Sequence, residues 1–440
     1  MNFKKFFEIG QAQGLDSLEL NYHAGRDLNI SVFHGEVSQF SVADAKVIAA
    51  RGIYNGKFGS ASSEKIEACT PAYLVEEIKE NAKVNEEETP AIIFPGSKQY
   101  KRKNMFNPAI EAWSTEDKIA LLLKIEDHLK KADSRISDVE EVQYSESMDE
   151  SIKMNSFGLK LKEKRNYFVI YASVIVKDKG DTKTGYKIYL GNNPQEFDLD
   201  QFVAEVVKNA VSKLGGAPCK SKKYPVVLNP RVTASLLSAY MSNASAELVQ
   251  KHTSLFEGKV NQVVASKKIT IIEDPLAKNV FYTYFDSEGV ATYKKTFVDK
   301  GVLKQFAYNL GTAAKDGVES TGNGQQGGAK IGIGFFGLTI KPGRKSEDEV
   351  LGKIKEGVYL TEVQGLHAGL NPRSGNFSLQ ASGFMIRDGK LAEPVNLITV
   401  AGNLVEMFKN VKEVANNSEL QLSSTNTPSI LVSKLAISGK

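Results

Sequence analysis

The chain has 440 residues, 41% of them hydrophobic, and its 56 basic side chains nearly balance 52 acidic ones, for a formal charge of +4. At about 150 residues per domain that length gives two to three domains with sizeable cores, and so small a charge excess argues against a nucleic-acid footprint. The two cysteines, Cys69 and Cys219, are far apart and outside any C-x-x-C context, which excludes a disulfide framework and fits a reducing compartment.

The opening Met1-Asn2-Phe3-Lys4-Lys5-Phe6-Phe7-Glu8 is helix-like and has no apolar signal core. The longest largely apolar run, Phe168 to Val176, is too short to span a bilayer as a helix. A cytoplasmic protein without membrane contact is therefore expected. Leu18 to Tyr22 and Leu28 to Val32 alternate apolar with polar residues, and His34-Gly35-Glu36 suits a hairpin turn between Phe33 and Val37. Ala45 to Tyr54 reads as a further strand closed by Asn55-Gly56. Thr70-Pro71 reads as a cap and first-turn pair before an amphipathic helix whose apolar face is Leu74, Ile78 and Ala82. The stretch 86–103 turns from acidic to basic and carries two prolines, the pattern of an exposed linker.

A second helix, Thr115 to Lys131, would bury Ile119, Leu122, Leu123, Ile125 and Leu129, with Ser114 and Asp117 at its start. Strands follow at Glu141 to Glu146, Ile152 to Ser156, Tyr167 to Lys177 and Gly185 to Leu190. A third helix, Leu199 to Leu214, has Asp198 as its cap. Gly215-Gly216-Ala217-Pro218 marks the domain boundary, giving an N-terminal domain 1–215 and a C-terminal domain 217–440. The expected fold class is α+β: a mixed N-terminal sheet with helices, then a strand-rich domain around one central helix.

That central helix is Val232 to Gln250, where Leu237, Met241, Ala244 and Leu248 line one face and Pro230 stands in the first turn. Thr253-Ser254-Leu255-Phe256-Glu257-Gly258 follows as a loop, and Lys268 to Asp274 as a strand ended by Pro275. Glycine-punctuated strands fill the rest, among them Phe285-Asp286-Ser287-Glu288-Gly289, Ser374-Gly375-Asn376-Phe377, Ala381-Ser382-Gly383-Phe384 and Ala401-Gly402-Asn403-Leu404.

These segments resemble the TldD/PmbA family, once described as modulators of DNA gyrase and understood as peptidases of unfolded peptides. In the catalytic branch the central helix carries His-Glu-x-x-x-His, and a gap-free match from Thr253 to Phe256 sets that motif on Leu237-Ser238-Ala239-Tyr240-Met241-Ser242. Leu237 offers no lone pair, Ser238 stands in the acid/base position, and Ser242 has only a neutral hydroxyl. A catalytic zinc site needs imidazole, thiolate or carboxylate donors. The tail Leu420 to Pro428 also lacks the cysteine that completes the zinc site in that branch. The resemblance is therefore to the PmbA (TldE) branch, and it implies no catalytic residue, metal or cofactor in this chain. It implies instead a zinc-bearing TldD-like partner in a heteromer, or a homodimer, acting on unfolded peptides.

Gly322-Asn323-Gly324-Gln325-Gln326-Gly327 fits G-x-G-x-x-G, but the strand-like Ile331 to Phe336 follows where a dinucleotide site needs a helix. His252 beside Thr253 and Ser254 lacks a nucleophile turn. His23 and His34 flank the hairpin without a supporting thiolate or carboxylate cluster, and His128 belongs on the solvent side of its helix. Asn323 and His367 remain as candidates for peptide contact. The basic run Lys98 to Lys103 reads as a solvated linker rather than a nucleic-acid patch. Two other functions stay open: a hydrolase active alone through an unrecognised metal site, and a gyrase- or DNA-interacting modulator.

Overall fold

A computed structural model describes residues 3–86, 90–327 and 330–440 of the chain. It has the α+β class read from the sequence and forms two compact units. The first takes residues 1–211, 278–292 and 309–332, and the second takes 212–277, 293–308 and 333–440. No helix among the described residues is long and apolar enough to cross a membrane.

The first unit begins with α1 (Lys4–Ala12), β1 (Ser17–Phe33), β2 (Glu36–Tyr54), β3 (Lys57–Ser63) and α2 (Thr70–Val84). Then come α3 (Pro108–Ala112), α4 (Thr115–Ala132), β4 (Ile136–Asn155), β5 (Lys160–Asp178), β6 (Asp181–Gly191) and α5 (Leu199–Val211). The strands form one antiparallel sheet in the order β3-β2-β1-β4-β5-β6. The expected hairpin is present, with His34 at φ 54° and Gly35 at φ 82°. Two positive φ values in succession match the right-handed twist of the flanking strands.

The strands are longer than their alternation suggests. The two short strands expected in 18–32 are one, and so are the two expected in 141–156. Neither gap contains a proline, and unbroken pairing along β4 carries β1 through its polar middle. Even-numbered residues of β1 face the helices: Leu18 and Leu20 join Phe6, Leu74, Val75 and Ile78 in one core. On α4, Leu122, Ile125 and Leu129 are fully buried, each contributing about 2 kcal/mol.

Ser114 caps α4 through Asp117 N at 3.0 Å, and Asp198 accepts Gln201 N at 2.9 Å, as their sequences imply. Thr70 does not cap α2. It is the first helical residue, and its hydroxyl donates to Lys65 O and accepts from Glu67 N, stitching the entry turn instead. The exposed linker needs a similar correction. Residues 87–89 lie outside the described chain, but beyond them Ile93 is buried and the Tyr100 hydroxyl donates to Gly289 O at 2.7 Å.

The second unit runs β7 (Lys222–Leu228), α6 (Pro230–Met241), a 3-10 turn over Ser242–Ala244, α7 (Ala246–Gln250), β8 (Ile271–Glu273), β9 (Lys295–Asp299) and β10 (Val302–Leu303). After these come β11 (Leu338–Ile340), β12 (Glu356–Gln364), β13 (Asn376–Arg387), β14 (Lys390–Asn403), β15 (Val411–Val414), β16 (Glu419–Leu420), β17 (Asn426–Thr427) and β18 (Ile430–Ser438). One sheet has the order β14-β13-β12-β7-β18-β15, and a further pairing of β14 with β18 closes five of its strands into a ring. The other has the order β10-β9-β8-β11-β17-β16. Val232, Leu236, Leu237, Tyr240 and Met241 of α6 share one core with residues of both sheets. The central helix of the sequence is thus present, but it breaks after Met241 where a single helix to Gln250 was expected.

Candidate functional site

The first turn of α6 is fixed by Asn229, whose side-chain oxygen accepts Val232 N at 2.8 Å, and by Pro230, which gives up no needed donor there. At its penultimate position, Tyr240 is sealed in: its hydroxyl donates to Val264 O at 2.9 Å and its ring stacks on Phe408 with centroids 4.2 Å apart. The break after Met241 follows from Asn243. Its amide nitrogen donates to Tyr240 O and its oxygen accepts Leu255 N at 3.0 Å, so a side chain takes over the hydrogen bonding that a continuing helix would supply.

The positions matched to the zinc motif fall on this helix and its end. Leu237 is fully buried within the apolar core. Ser238 Oγ donates to Ala234 O at 3.0 Å, and Ser242 Oγ donates to Ala239 O at 2.8 Å. Both hydroxyls thus bond to carbonyls of their own helix. The next acid, Glu247, pairs with Lys251 at 2.6 Å. In the tail, Thr427 Oγ1 donates to Pro230 O at 2.7 Å, tying β17 to the start of α6. An alkyl group and two neutral hydroxyls do not fit a zinc ion. Among the described residues no cluster of three His, Cys, Asp or Glu side chains could hold a metal.

His367 stands exposed on a short helical turn, Leu366–Gly369, after Gly365 at φ 82°. Beside it residues 368–373 and 376–378 line an open concave volume of about 580 Å³, with Arg373, Asn371, Asn376 and Ser378 as its polar lining residues. His252 lies on an exposed bend at φ 53°, its Nδ1 2.7 Å from Glu257.

Asn323 belongs to the first unit and is fully buried, accepting the Thr321 hydroxyl at 2.7 Å. The G-x-G-x-x-G run continues into a two-stranded ribbon, Gly324–Gly327 with Lys330–Ile333, not into a helix. His23 and His34 do not meet: His23 lies 3.4 Å from Asp149 and His34 lies 3.1 Å from Asp138. His128 is 3.7 Å from Asp200.

Sequence reasoning missed a buried carboxylate pair beside Asn323. Asp286 accepts Glu288 N and Val290 N at 2.9 Å and Gly324 N at 2.8 Å, while Glu288 accepts Leu310 N at 2.7 Å. A Cβ on Gly324 would stand 2.8 Å from Glu288 Oε2 and 3.0 Å from Asp286 Oδ2, so a larger residue there would have to displace the carboxylates. Burial raises the Asp286 carboxyl to about 6. Burial and then the Asp286 charge raise Glu288 to about 7. In the same unit Glu19 sits 2.7 Å from Lys153 and 2.9 Å from Arg51. Burial opposes its charge, yet the two cations hold its carboxyl below the ordinary value. The Asp-x-Glu-Gly spacing was the only signal of this lock.

Comparison with known proteins agrees over nearly the whole chain. Family profiles described as PmbA/TldA metallopeptidase domain 1, central domain and C-terminal domain match residues 18–82, 108–214 and 221–439. The metalloprotease PmbA of Escherichia coli O157:H7 is 24% identical over 436 residues, covering 97% of this chain and 93% of the relative. A metalloprotease of Archaeoglobus fulgidus is 31% identical over 231 residues, 52% of each chain. The crystal structure of TldE from Thermococcus kodakarensis is 25% identical with a TM-score of 0.91, covering 99% of both chains. A Thermotoga maritima crystal structure, described as a candidate modulator of a DNA gyrase, is 29% identical with the same score and coverage. The chain belongs to the PmbA/TldD metallopeptidase family.

Proposed function

We propose that this chain is the non-catalytic or regulatory subunit of a cytoplasmic metallopeptidase complex that processes unfolded peptides, and that its partner is a zinc-bearing subunit of TldD type. The observation that carries the reading is the donor set of α6. A core leucine and two serines bonded to their own helix stand where a metal-binding relative needs donors. The likeness to TldE over 99% of both chains supports the same branch. Of the two peptide-contact candidates, the exposure of His367, next in sequence to Ala368 of the hollow, supports a contact role, whereas the burial of Asn323 and its bond to Thr321 support a structural one.

The test is reconstitution with an unstructured peptide as substrate. The chain alone is expected to show no turnover, and turnover should appear or rise on adding a family member that carries His-Glu-x-x-x-His. Stoichiometric zinc in the purified chain together with cleavage by the chain alone would overturn the proposal in favour of a self-sufficient hydrolase.

A further inference from the structure

The open hollow lined by residues 368–373 and 376–378 lies within the second unit, and its chemistry is one-sided. Arg373 is the single charged residue of the lining, and no acid stands beside it there. Among the described residues its side chain has neither an ion pair nor a hydrogen bond; only its backbone N–H donates, to Asn371 Oδ1 at 3.0 Å. Arg387, at the far end of β13, is by contrast met by Glu393 at 2.7 Å. Leu370 and Phe377 add apolar surface to the hollow, and Asn371, Asn376 and Ser378 add neutral polar groups. Its volume of about 580 Å³ falls within the ~300–1,000 Å³ of ligand sites, which join apolar lining to a few polar groups.

The loop that carries Arg373 is held from several sides. Asn371 Oδ1 also accepts Ser374 N at 3.1 Å, and Asn371 O accepts Gly375 N at 2.8 Å. Asn403 Nδ2 donates to Ser374 O at 2.8 Å and to Asn376 Oδ1 at 2.9 Å. Gly375, at φ 73°, lets Leu255 close on the loop: a Cβ there would stand 2.9 Å from Leu255 Cδ1. Leu255 is also the residue whose amide Asn243 binds, so the loop is tied to the corner that ends α6. Gly369 lies so near β13 that a Cβ on it would fall 2.3 Å from Ser378 O. A cation on so fixed a base needs less ordering when it meets an anion.

We infer that the hollow is a subsite for the carboxylate of a peptide, terminal or side-chain, with Arg373 as its counter-charge. The choice of a peptide rests on the function proposed above, and the choice of a carboxylate rests on the lining. A planar guanidinium offers two parallel N–H donors that match the two oxygens of a carboxylate. One cation with no acid beside it balances a monoanion, whereas a phosphate group, with nearly two negative charges at neutral pH, would be left unbalanced. Leu370 and Phe377 suit the carbon chain that bears the carboxylate.

The experiment uses the full chain and short unstructured peptides with a fluorescent label at the N-terminus, read by anisotropy. One peptide has neutral side chains and a free C-terminus, the second is its C-terminal amide, and the third is an amide whose last residue is glutamate. At low salt the wild type should bind the free acid about fivefold tighter than the neutral amide, and the gap should shrink as salt rises. Arg373→Gln should bind both at the level of the amide, and Arg373→Lys, which keeps the charge without the fork, should recover part of the difference. Arg344→Gln, at another exposed arginine of the same unit, should change nothing. No bond of the Arg373 side chain holds the fold, so its variants should melt with the wild type. The third peptide separates the sources. Tight binding that Arg373→Gln abolishes extends the subsite to side-chain carboxylates, and binding like the neutral amide restricts it to the chain end. Equal affinity of the wild type for free acid and amide, no binding of any of the three, a preference that survives Arg373→Gln, or one lost with Arg344→Gln would each overturn the inference. So would displacement of the peptide by inorganic phosphate at lower concentration than by acetate. A carboxylate preference in a chain that activates no zinc-bearing subunit would keep the subsite and sink the proposed function, and activation without the preference would do the reverse.

Discussion

Leu237 and Glu288 show how single side chains commit this molecule. Leu237 is fully buried, so restoring a histidine there would place an imidazole among apolar neighbours with no partner. Leu237→His is expected to cost about 3 kcal/mol or more, read as a lowered denaturant midpoint. Glu288 works through charge. Its unfolded carboxyl titrates near 4.5 and its folded one near 7, so across that interval the folded state keeps a proton that the unfolded chain releases. Stability therefore falls as pH rises from about 4.5 to about 7, and the penalty is complete above that range. Asp286, raised by burial from 3.8 to about 6, adds to the same slope. Glu288→Gln keeps an acceptor for Leu310 N but never ionises. It should flatten the melting temperature over that window and raise stability at pH 8 by up to about 3 kcal/mol. A steeper slope in the variant would refute the account. At this scale the sequence told much about helix starts, because Ser114 and Asp198 act on amides within a turn of themselves and Pro230 needs only its own first-turn position. It told nothing of the titration of Asp286 and Glu288, which depends on residues 309–332 folding back onto 278–292.

Among the elements, the broken helix is the most informative departure from the sequence pattern. Leu237, Met241 and Ala244 keep a helical spacing, and nothing in their neighbourhood is a helix breaker. The break is imposed from outside, by Asn243 reaching Leu255 N and by Ala246 N donating to Ala307 O at 3.0 Å. Periodicity cannot report partners more than ten residues away. Asn243→Ala should therefore cost about 2 kcal/mol, since it strips hydrogen bonds from a buried corner. Ser242→Ala, one residue earlier, should cost less than about 0.5 kcal/mol because its exposed hydroxyl bonds only to its own helix. Equal losses in urea titrations of the two variants would show that the corner is not held by Asn243. The long strands β1 and β4 teach the same lesson. Their polar middles weaken the alternation, but seventeen-residue β1 is carried by neighbours on both sides.

For the molecule as a whole, the family was legible in runs of Gly, Asn and Asp, several of which mark turns and close approaches in this fold, as at Gly289, Gly324 and Gly375. The direction of the functional reading came from what those runs lack. The metal requirement of a mixed complex separates a surface role from a chemical one. If the chain contributes surface and not chemistry, its own exposure to a chelator is irrelevant. Treating the purified chain with a chelator, removing the chelator, and mixing it with an untreated zinc-bearing subunit should restore full turnover of an unstructured peptide. The converse mixture, untreated chain with chelator-stripped partner, should give none until zinc is added. Titrating the chain against a fixed amount of partner should then raise turnover to a plateau at a fixed molar ratio, as a stoichiometric subunit requires and an unrelated stabiliser does not. Loss of turnover on stripping this chain alone would place an essential metal within it, and would transfer the chemistry to residues other than Leu237, Ser238 and Ser242.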